Sequence, residues 1–262
     1  MARGFGVAGA LDHAIVRQVA AAAETAGYAT FWTNDTPGGD GLEALRVAAG
    51  ATHSIGLGVG VIPIDRKPAR SIIDDVRRLK LPEERLTVGI GAGGLFKGSV
   101  SAVREAALEL KQHIKGLVLI GALGPRMTAL GGEVADGVLL NWLTPEYVEK
   151  SAEAARKTAA DSGCSLSLAA AYVRVAFGQP SLQALQDEAH RYGTFPQYAR
   201  NFARIGVDAI ETTIFGESSA ELSARLTLFE QKVDEVVVRA IVAEDTVENY
   251  LSLLDAAAPA GS

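Results

Sequence analysis

Short apolar segments typical of β-strands alternate with amphipathic helix-like segments, at a spacing of about 25 to 30 residues over the first half of the chain. This alternation is typical of βα units, which build a parallel sheet. Eight such units predict an α/β fold of the closed (β/α)8 TIM barrel type rather than an open doubly wound sheet. The predicted strands are 4–8, 29–33, 55–62, 86–90, 117–120, 137–141, 166–176 and 235–241.

Capping residues predict where several helices begin and end. Asp12 lies where an N-cap would open the first helix, and Gly27 lies where a left-handed residue would end it. The second helix is predicted from about 40 to 53. Asp245, with Glu248 three residues later, predicts a capping-box start for the last helix. The periodicity of 209–214 fits either a strand or a buried turn.

Length, charge and cysteine content limit the class of protein. A chain of 262 residues fits one barrel domain, 1–262, because such barrels use about 250 residues. A net charge of -6 without a long basic run argues against nucleic acid as a partner. Apolar runs such as 55–64 are far shorter than the ~20 residues that cross a bilayer, so no membrane partner is expected. Cys164 is the only cysteine, and no apolar signal stretch opens the sequence, so a cytoplasmic location is expected.

The loops that follow the strands carry the candidate site residues, because all βα loops of a barrel meet at one end. Asn34 and Asp35 follow the second strand and its Trp32. Asn, Asp, Pro and Gly are also the common turn residues, so a plain turn remains open there. Asn141 and Trp142 place an amide and an aromatic ring at the end of the sixth strand.

The loop after the fifth strand has the pattern of an anion site. It runs directly into a helix through glycine and proline, and a helix start presents free N–H groups and a positive dipole end, which suit a phosphate. An ordinary tight turn without a ligand is the alternative, and the spacing is neither GxGxxG nor GxxxxGK[ST]. The segment is Gly121, Ala122, Leu123, Gly124, Pro125, Arg126 and Met127.

Other kinds of chemistry find little support in the sequence. The four histidines are isolated from one another and lack metal-ligand spacing, so no metal site is predicted. Cys164 has no positioned histidine pattern nearby, and no GxSxG motif occurs. The sequence shows no acid–base pair, but it has a loop with the pattern of a phosphate site. This combination favours a reaction that a cofactor carries out. Redox chemistry is therefore the leading class.

Six segments, in a fixed order along the chain, carry a resemblance to a known family. They are 31–35, 55–61 with 66–69, 86–94, 121–127, 135–142 and 234–239. Together they resemble the bacterial luciferase-like monooxygenase family, and most closely its branch that uses the deazaflavin coenzyme F420. Members of that family are barrels that bind FMN or the deazaflavin at the carboxyl ends of the strands.

The resemblance implies a set of site residues. It implies that the loop after the fifth strand holds the cofactor phosphate, and that a cis peptide between Gly60 and Val61 supports the cofactor ring. It also places Asp35 beside the reactive part of the ring, as the catalytic residue. The implied cofactor-binding residues are Asn34, Gly60, Val61, Gly91, Ala92, Ala122, Leu123, Gly124, Pro125, Arg126, Met127, Asn141 and Trp142.

The sequence also departs from the family pattern. Thr36 follows Asp35 where related enzymes commonly have histidine, so a histidine acid–base role is not expected. The link after the fourth strand, 95–98, is short where many relatives carry an insertion that covers the substrate. The substrate type is therefore open.

The resemblance implies an oxidoreductase that transfers a hydride between F420 and a small organic substrate. An FMN-dependent monooxygenase and a non-catalytic cofactor-binding protein are the alternatives. Family members often form dimers through helices early in the chain, and 40–51 has a small-residue, apolar face suited to a homodimer.

Overall fold

The computed structural model describes residues 2–95 and 98–259. The strands are β1 Ala2–Gly6, β2 Thr30–Thr33, β3 Gly56–Pro63, β4 Leu86–Gly91, β5 Leu117–Ala122, β6 Gly137–Asn141, β7 Leu168–Phe177, β8 Ile214–Gly216 and β9 Glu235–Ala240. The α-helices are α1 His13–Thr25, α2 Gly41–Ala49, α3 Ala69–Arg78, α4 Ser99–His113, α5 Pro125–Val134, α6 Pro145–Asp161, α7 Gln179–Thr194, α8 Pro196–Ile205, α9 Ser219–Glu230 and α10 Val247–Ala256.

The sheet closes on itself as a parallel barrel. Its strands follow the order β6-β5-β4-β3-β2-β1-β9-β7, and β6 also pairs with β7. The strand β9 lies between β1 and β7, with Glu235 opposite both Ala2 and Ala170. The predicted (β/α)8 barrel is thereby confirmed. The short strand β8 is not part of the closed ring, and among the described strands it pairs with the end of β7 alone.

The predicted strands agree with the observed ones to within two residues at each end. Asp12 caps α1 as expected, accepting a hydrogen bond from the Ala14 N–H, and Gly27 has a φ of +81°. The predicted end of α2 at 53 is wrong, because the helix stops at Ala49. The open alternative at 209–214 resolves into a 3-10 turn, Ala209–Thr212, followed by β8.

The predicted cap of the last helix is wrong by one residue. Thr246, not Asp245, caps α10, and its hydroxyl accepts from the Asn249 N–H at 3.3 Å. Asp245 instead accepts from the Tyr250 hydroxyl at 2.8 Å. Residues 92–98 separate β4 from α4, and Phe96 and Lys97 of the predicted short link lie outside the described residues.

The side chain of Trp32 fills the barrel interior, and neighbouring glycines leave the space that it needs. Trp32 is fully buried, and its Nε1–H donates to Glu235 Oε1 at 2.8 Å. A Cβ on Gly58 would lie 2.6 Å from Trp32 Cε2, and one on Gly4 would lie 2.9 Å from Trp32 Cδ1. Because real Cβ atoms do not approach that closely, the indole fits only against glycine. The interior is therefore closed below the strand ends.

A bulge in β3 brings Val61 under the carboxyl end of the barrel. The peptide between Gly60 and Val61 is cis, as the family resemblance implies. A Cβ on Gly91 would lie 2.9 Å from Val61 Cγ2, and one on Gly121 would lie 2.6 Å from Val61 Cγ1. The glycines of β4 and β5 thus leave the space that the Val61 side chain occupies.

The apolar residues of α2 are buried within this one chain. Leu42, Ala44, Leu45 and Ala48 are fully buried, and α2 contacts α1 and β3. The face expected to pair two copies already packs on the barrel, and the homodimer stays a prediction. No described helix is long and apolar enough to cross a membrane.

Candidate functional site

A cleft of about 710 Å³ opens at the carboxyl ends of the strands. Its size lies within the range of about 300 to 1,000 Å³ that small-molecule sites usually have. The cleft brings together residues from the ends of β2 to β6 that are far apart in the sequence. The predicted site residues that line it are Asn34, Asp35, Gly60, Val61, Gly91, Ala92, Ala122, Leu123, Gly124, Pro125, Arg126, Met127 and Asn141.

The start of α5 presents unbonded backbone groups to this cleft. Gly124 is the N-cap in extended conformation, and no side chain among residues 2–95 and 98–259 caps the helix. The Thr128 N–H bonds to the Gly124 carbonyl at 3.1 Å, whereas the N–H groups of Arg126 and Met127, in the first turn, have no acceptor within the helix. A Cβ on Gly124 would meet no atom of the described residues within 4 Å. The helix start therefore opens onto free space, as an anion site requires.

The charged side chains that line the cleft are mostly positive. Among the described lining residues, Asp35 is the only carboxylate. The whole chain has a net charge of -6, so the cleft differs in sign from the rest of the molecule. A concave site with this excess of positive charge attracts anionic ligands. The lining arginines are Arg126, Arg174, Arg200 and Arg204.

Asp35 lies at the rim of the cleft in a partly desolvated position. Its Oδ1 is 2.6 Å from Nη2 of Arg66, and the Gly41 N–H donates to its Oδ2 at 3.4 Å. Burial raises the pKa of the Asp35 carboxyl above its usual value, and this effect outweighs the opposing bond from Gly41 and the Arg66 charge. A raised pKa brings the carboxyl closer to the range in which it exchanges a proton.

Asn34 has a structural contact besides its place in the cleft. Its Oδ1 accepts a hydrogen bond from the Gly9 N–H at 2.9 Å, which joins the loop after β1 to the loop after β2. The side chain therefore holds two loops in place.

Trp142 does not line the cleft and lies directly behind it. It is 1% exposed and has a φ of +53°. The guanidinium of Arg174 lies 4.0 Å from the centre of its ring, and Nη1 of Arg174 donates to Asn141 Oδ1. Trp142 thus contacts an arginine that does line the cleft.

One wall of the cleft was missed by the sequence predictions. Arg204 donates to the Leu123 carbonyl at 3.1 Å and Asn201 donates to the Trp142 carbonyl at 3.2 Å, so α8 is held against the ends of β5 and β6. For the part of this wall that β7 forms, the sequence signal was Tyr172 and Arg174, two polar residues within an otherwise apolar strand. The missed lining residues include Tyr172, Arg174, Tyr192, Gln197, Tyr198, Arg200, Asn201 and Arg204.

Comparison with known proteins confirms the family resemblance. The family model of the luciferase-like monooxygenases matches residues 4–97, which span β1 to β4. The start of α5 lies beyond the matched residues.

Solved structures share the fold over almost the whole chain. An F420-dependent tetrahydromethanopterin reductase from Methanopyrus kandleri is 18% identical with a TM-score of 0.78, covering 98% of this chain and 97% of that one. An F420-dependent secondary alcohol dehydrogenase, solved with an F420–acetone adduct, is 12% identical with a TM-score of 0.78, covering 97% and 96%. The FMN-bound oxygenating constituent of the 3,6-diketocamphane monooxygenase of Pseudomonas putida is 13% identical with a TM-score of 0.68, covering 98% and 97%. At these identities the likeness shows the fold alone.

Proposed function

We propose that this protein is an oxidoreductase that binds F420 in the cleft and transfers a hydride between F420 and a small organic substrate. The observation that carries the proposal is the cleft at the strand ends, where an open helix start and several arginines lie beside an apolar floor. Two of the similar structures are named as F420-dependent enzymes.

The residues present fit such a cofactor. The N–H groups of Arg126 and Met127 supply hydrogen bonds for a phosphate, and the open space at Gly124 lets the phosphate approach the backbone. Val61 and Leu139 provide apolar surface on which a flat ring can lie. When bound, F420 supplies the carbon centre that accepts or donates the hydride.

The chain supplies orientation, exclusion of water and a proton group. The α8 helix covers one side of the cleft through the bonds of Asn201 and Arg204 to the strand ends. We assign the proton to Asp35, because it is the lining carboxylate in the described residues and burial raises its pKa. Thr36, at the position where relatives commonly have histidine, is expected to have no acid–base role.

An FMN-dependent monooxygenase is the second candidate. The FMN-bound structure from Pseudomonas putida shares the fold, and a phosphate site at α5 would fit FMN as well as F420. We also propose a cytoplasmic location and a homodimer.

Turnover tests the proposal. Purified protein with reduced F420 is screened against small enones and imines, and oxidation of the cofactor is followed by absorbance. Asp35→Asn is expected to lower kcat by at least about 100-fold and to leave the Kd of F420 within twofold, because loss of a proton donor affects the reaction and not binding. Asp12→Asn, at the exposed cap of α1, is the control.

Two results would contradict the proposal. Absence of turnover with every carbonyl and imine tested, in protein that binds F420, would favour the non-catalytic alternative. Equal rates for the wild type and Asp35→Asn would remove Asp35 from the reaction.

A further inference from the structure

In the described residues, the buried side-chain polar atoms that lack a hydrogen-bond partner lie just after β6 and within β7. Among the described residues, they are Nε1 of Trp142, the hydroxyl of Tyr172 and Nε of Arg174. All three are hydrogen-bond donors, and buried polar groups in proteins are nearly always bonded. Tyr172 and Arg174 line the cleft, whereas Trp142 lies behind it, so the first two are placed where an acceptor from outside the protein can reach them.

The centre of this cluster is the guanidinium of Arg174, which is held firmly in place. Its side chain is 4% exposed and stacks on the rings of Trp142 and Tyr192, at 4.0 and 5.0 Å from their centres. Nη1 donates to the amide oxygen of Asn141. The guanidinium lines the cleft in this fixed orientation.

The positive charge of Arg174 is only partly balanced. The carboxylate of Glu188 lies 3.8 Å from Nε, beyond hydrogen-bond distance, and Glu188 is also in closer contact with Arg191. Asn141 is neutral. In the described part of the chain, no protein atom accepts a hydrogen bond from Nη2 of Arg174.

A buried charge is expensive unless it is paired and hydrogen-bonded. The planar fork of arginine matches the two oxygens of a carboxylate better than any neutral group does. A carboxylate brought by a ligand would therefore complete the pairing that the protein leaves unfinished.

This site is separate from the predicted phosphate site. Arg174 lies on β7, whereas the open helix start follows β5, and β6 lies between these two strands. Arg204 bonds to Leu123 on the β5 side. The cleft thus offers two distinct regions for negative charge.

We propose that Arg174 determines substrate specificity by binding a carboxylate of the substrate, so that the enzyme acts on small organic anions. The inference rests on the proposed function, because it names the substrate class of the same cleft. Asn141 and Trp142 act as positioning residues for the guanidinium.

Calorimetric titration of the cofactor-free protein tests the inference without turnover. The probes are benzoate and benzamide, which have nearly the same shape and differ in charge. Benzoate is expected to bind at least tenfold more tightly than benzamide. Equal affinity for the two probes in the wild-type protein would overturn the proposal.

Two substitutions assign the binding to Arg174. Arg174→Met places an unbranched, uncharged side chain against the aromatic rings, and it is expected to remove the preference for benzoate. Arg174→Lys keeps the charge without the planar fork and is expected to give an intermediate preference. Circular dichroism checks that each variant is folded. An unchanged preference in a folded variant of either kind would refute the assignment.

Competition between benzoate and F420 shows whether Arg174 binds a carboxylate of the substrate or a carboxylate of the cofactor. Benzoate is expected to leave the Kd of F420 within twofold, and Gly124→Leu is expected to weaken F420 without changing benzoate binding. If benzoate competes with F420, Arg174 belongs to the cofactor site and the proposal is wrong. If benzoate binds selectively and F420 does not bind at all, the proposed function fails while the anion site stands.

Discussion

Replacing Gly124 by leucine would block the start of α5 without disturbing the protein around it. The N-cap position has φ -147° and ψ 172°, which any residue adopts, and in the part of the chain that the structure describes no atom lies within 4 Å of a Cβ placed there. The leucine side chain would therefore occupy the free space in front of the helix start. The fold is expected to be unchanged.

The expected loss of affinity follows from the bonds at that helix start. The N–H groups of Arg126 and Met127 are the two donors of the first turn without an acceptor in the helix. A hydrogen bond to a charged group contributes about 1.5–3 kcal/mol. Losing one of the two would weaken cofactor binding by about 10- to 100-fold.

Isothermal titration with F420 measures this loss directly. Gly193→Leu is the matched control, because Gly193 is exposed, has open space around its Cβ position and does not line the cleft. It is expected to bind F420 as the wild type does. Unchanged F420 affinity in folded Gly124→Leu protein would refute the phosphate site at α5.

Three further outcomes are expected. Gly58→Ala should lower the free energy of unfolding by about 1–3 kcal/mol in denaturant titrations, because its Cβ would lie only 2.6 Å from Cε2 of the buried Trp32 ring and closer still to two other ring atoms. Gly50→Ala is the control, because its Cβ would lie 3.6 Å from the nearest atom, and it should change the free energy of unfolding by less than about 1 kcal/mol. Burial raises the pKa of Glu235 above its usual 4.5, so the wild type loses stability as the pH rises from 4.5 through the folded-state pKa. Glu235→Gln should remove this loss, and equal pH dependence of unfolding in both proteins would contradict it. If Asp35 donates a proton during substrate reduction, kcat should fall as the pH rises above its raised pKa, and a flat profile in the wild type would contradict that role.

The barrel could be predicted from the sequence because each strand is a local apolar run. The segment 137–141 matches β6 at both ends, and 235–241, the last predicted strand, corresponds to β9, which lies between β1 and β7. The start of α5 at Pro125 was likewise predicted, since proline and glycine fix the local backbone. These features depend on neighbours in sequence.

The wall of the cleft that β7 and α8 form could not be predicted, because it depends on contacts between segments that are distant in the sequence. Arg204 reaches the Leu123 carbonyl across 81 positions of the chain, and no periodicity reports such a bond. Arg174 appears in sequence as one charged residue in an apolar strand, and only the fold shows that Trp142 lies behind it. The predicted cap of α10 was wrong because Asp245 and Thr246 are neighbouring residues of types that both cap helices. Asp245 instead accepts a hydrogen bond from the Tyr250 hydroxyl, which leaves Thr246 as the cap.

Equilibrium titration of the purified protein with F420 and, in parallel, with FMN tests the central claim most directly. If the proposed function is right, F420 is expected to bind in the cleft with a Kd at least tenfold lower than that of FMN. Tighter binding of FMN would contradict the account in favour of the monooxygenase, and binding of neither would contradict a cofactor site in this cleft.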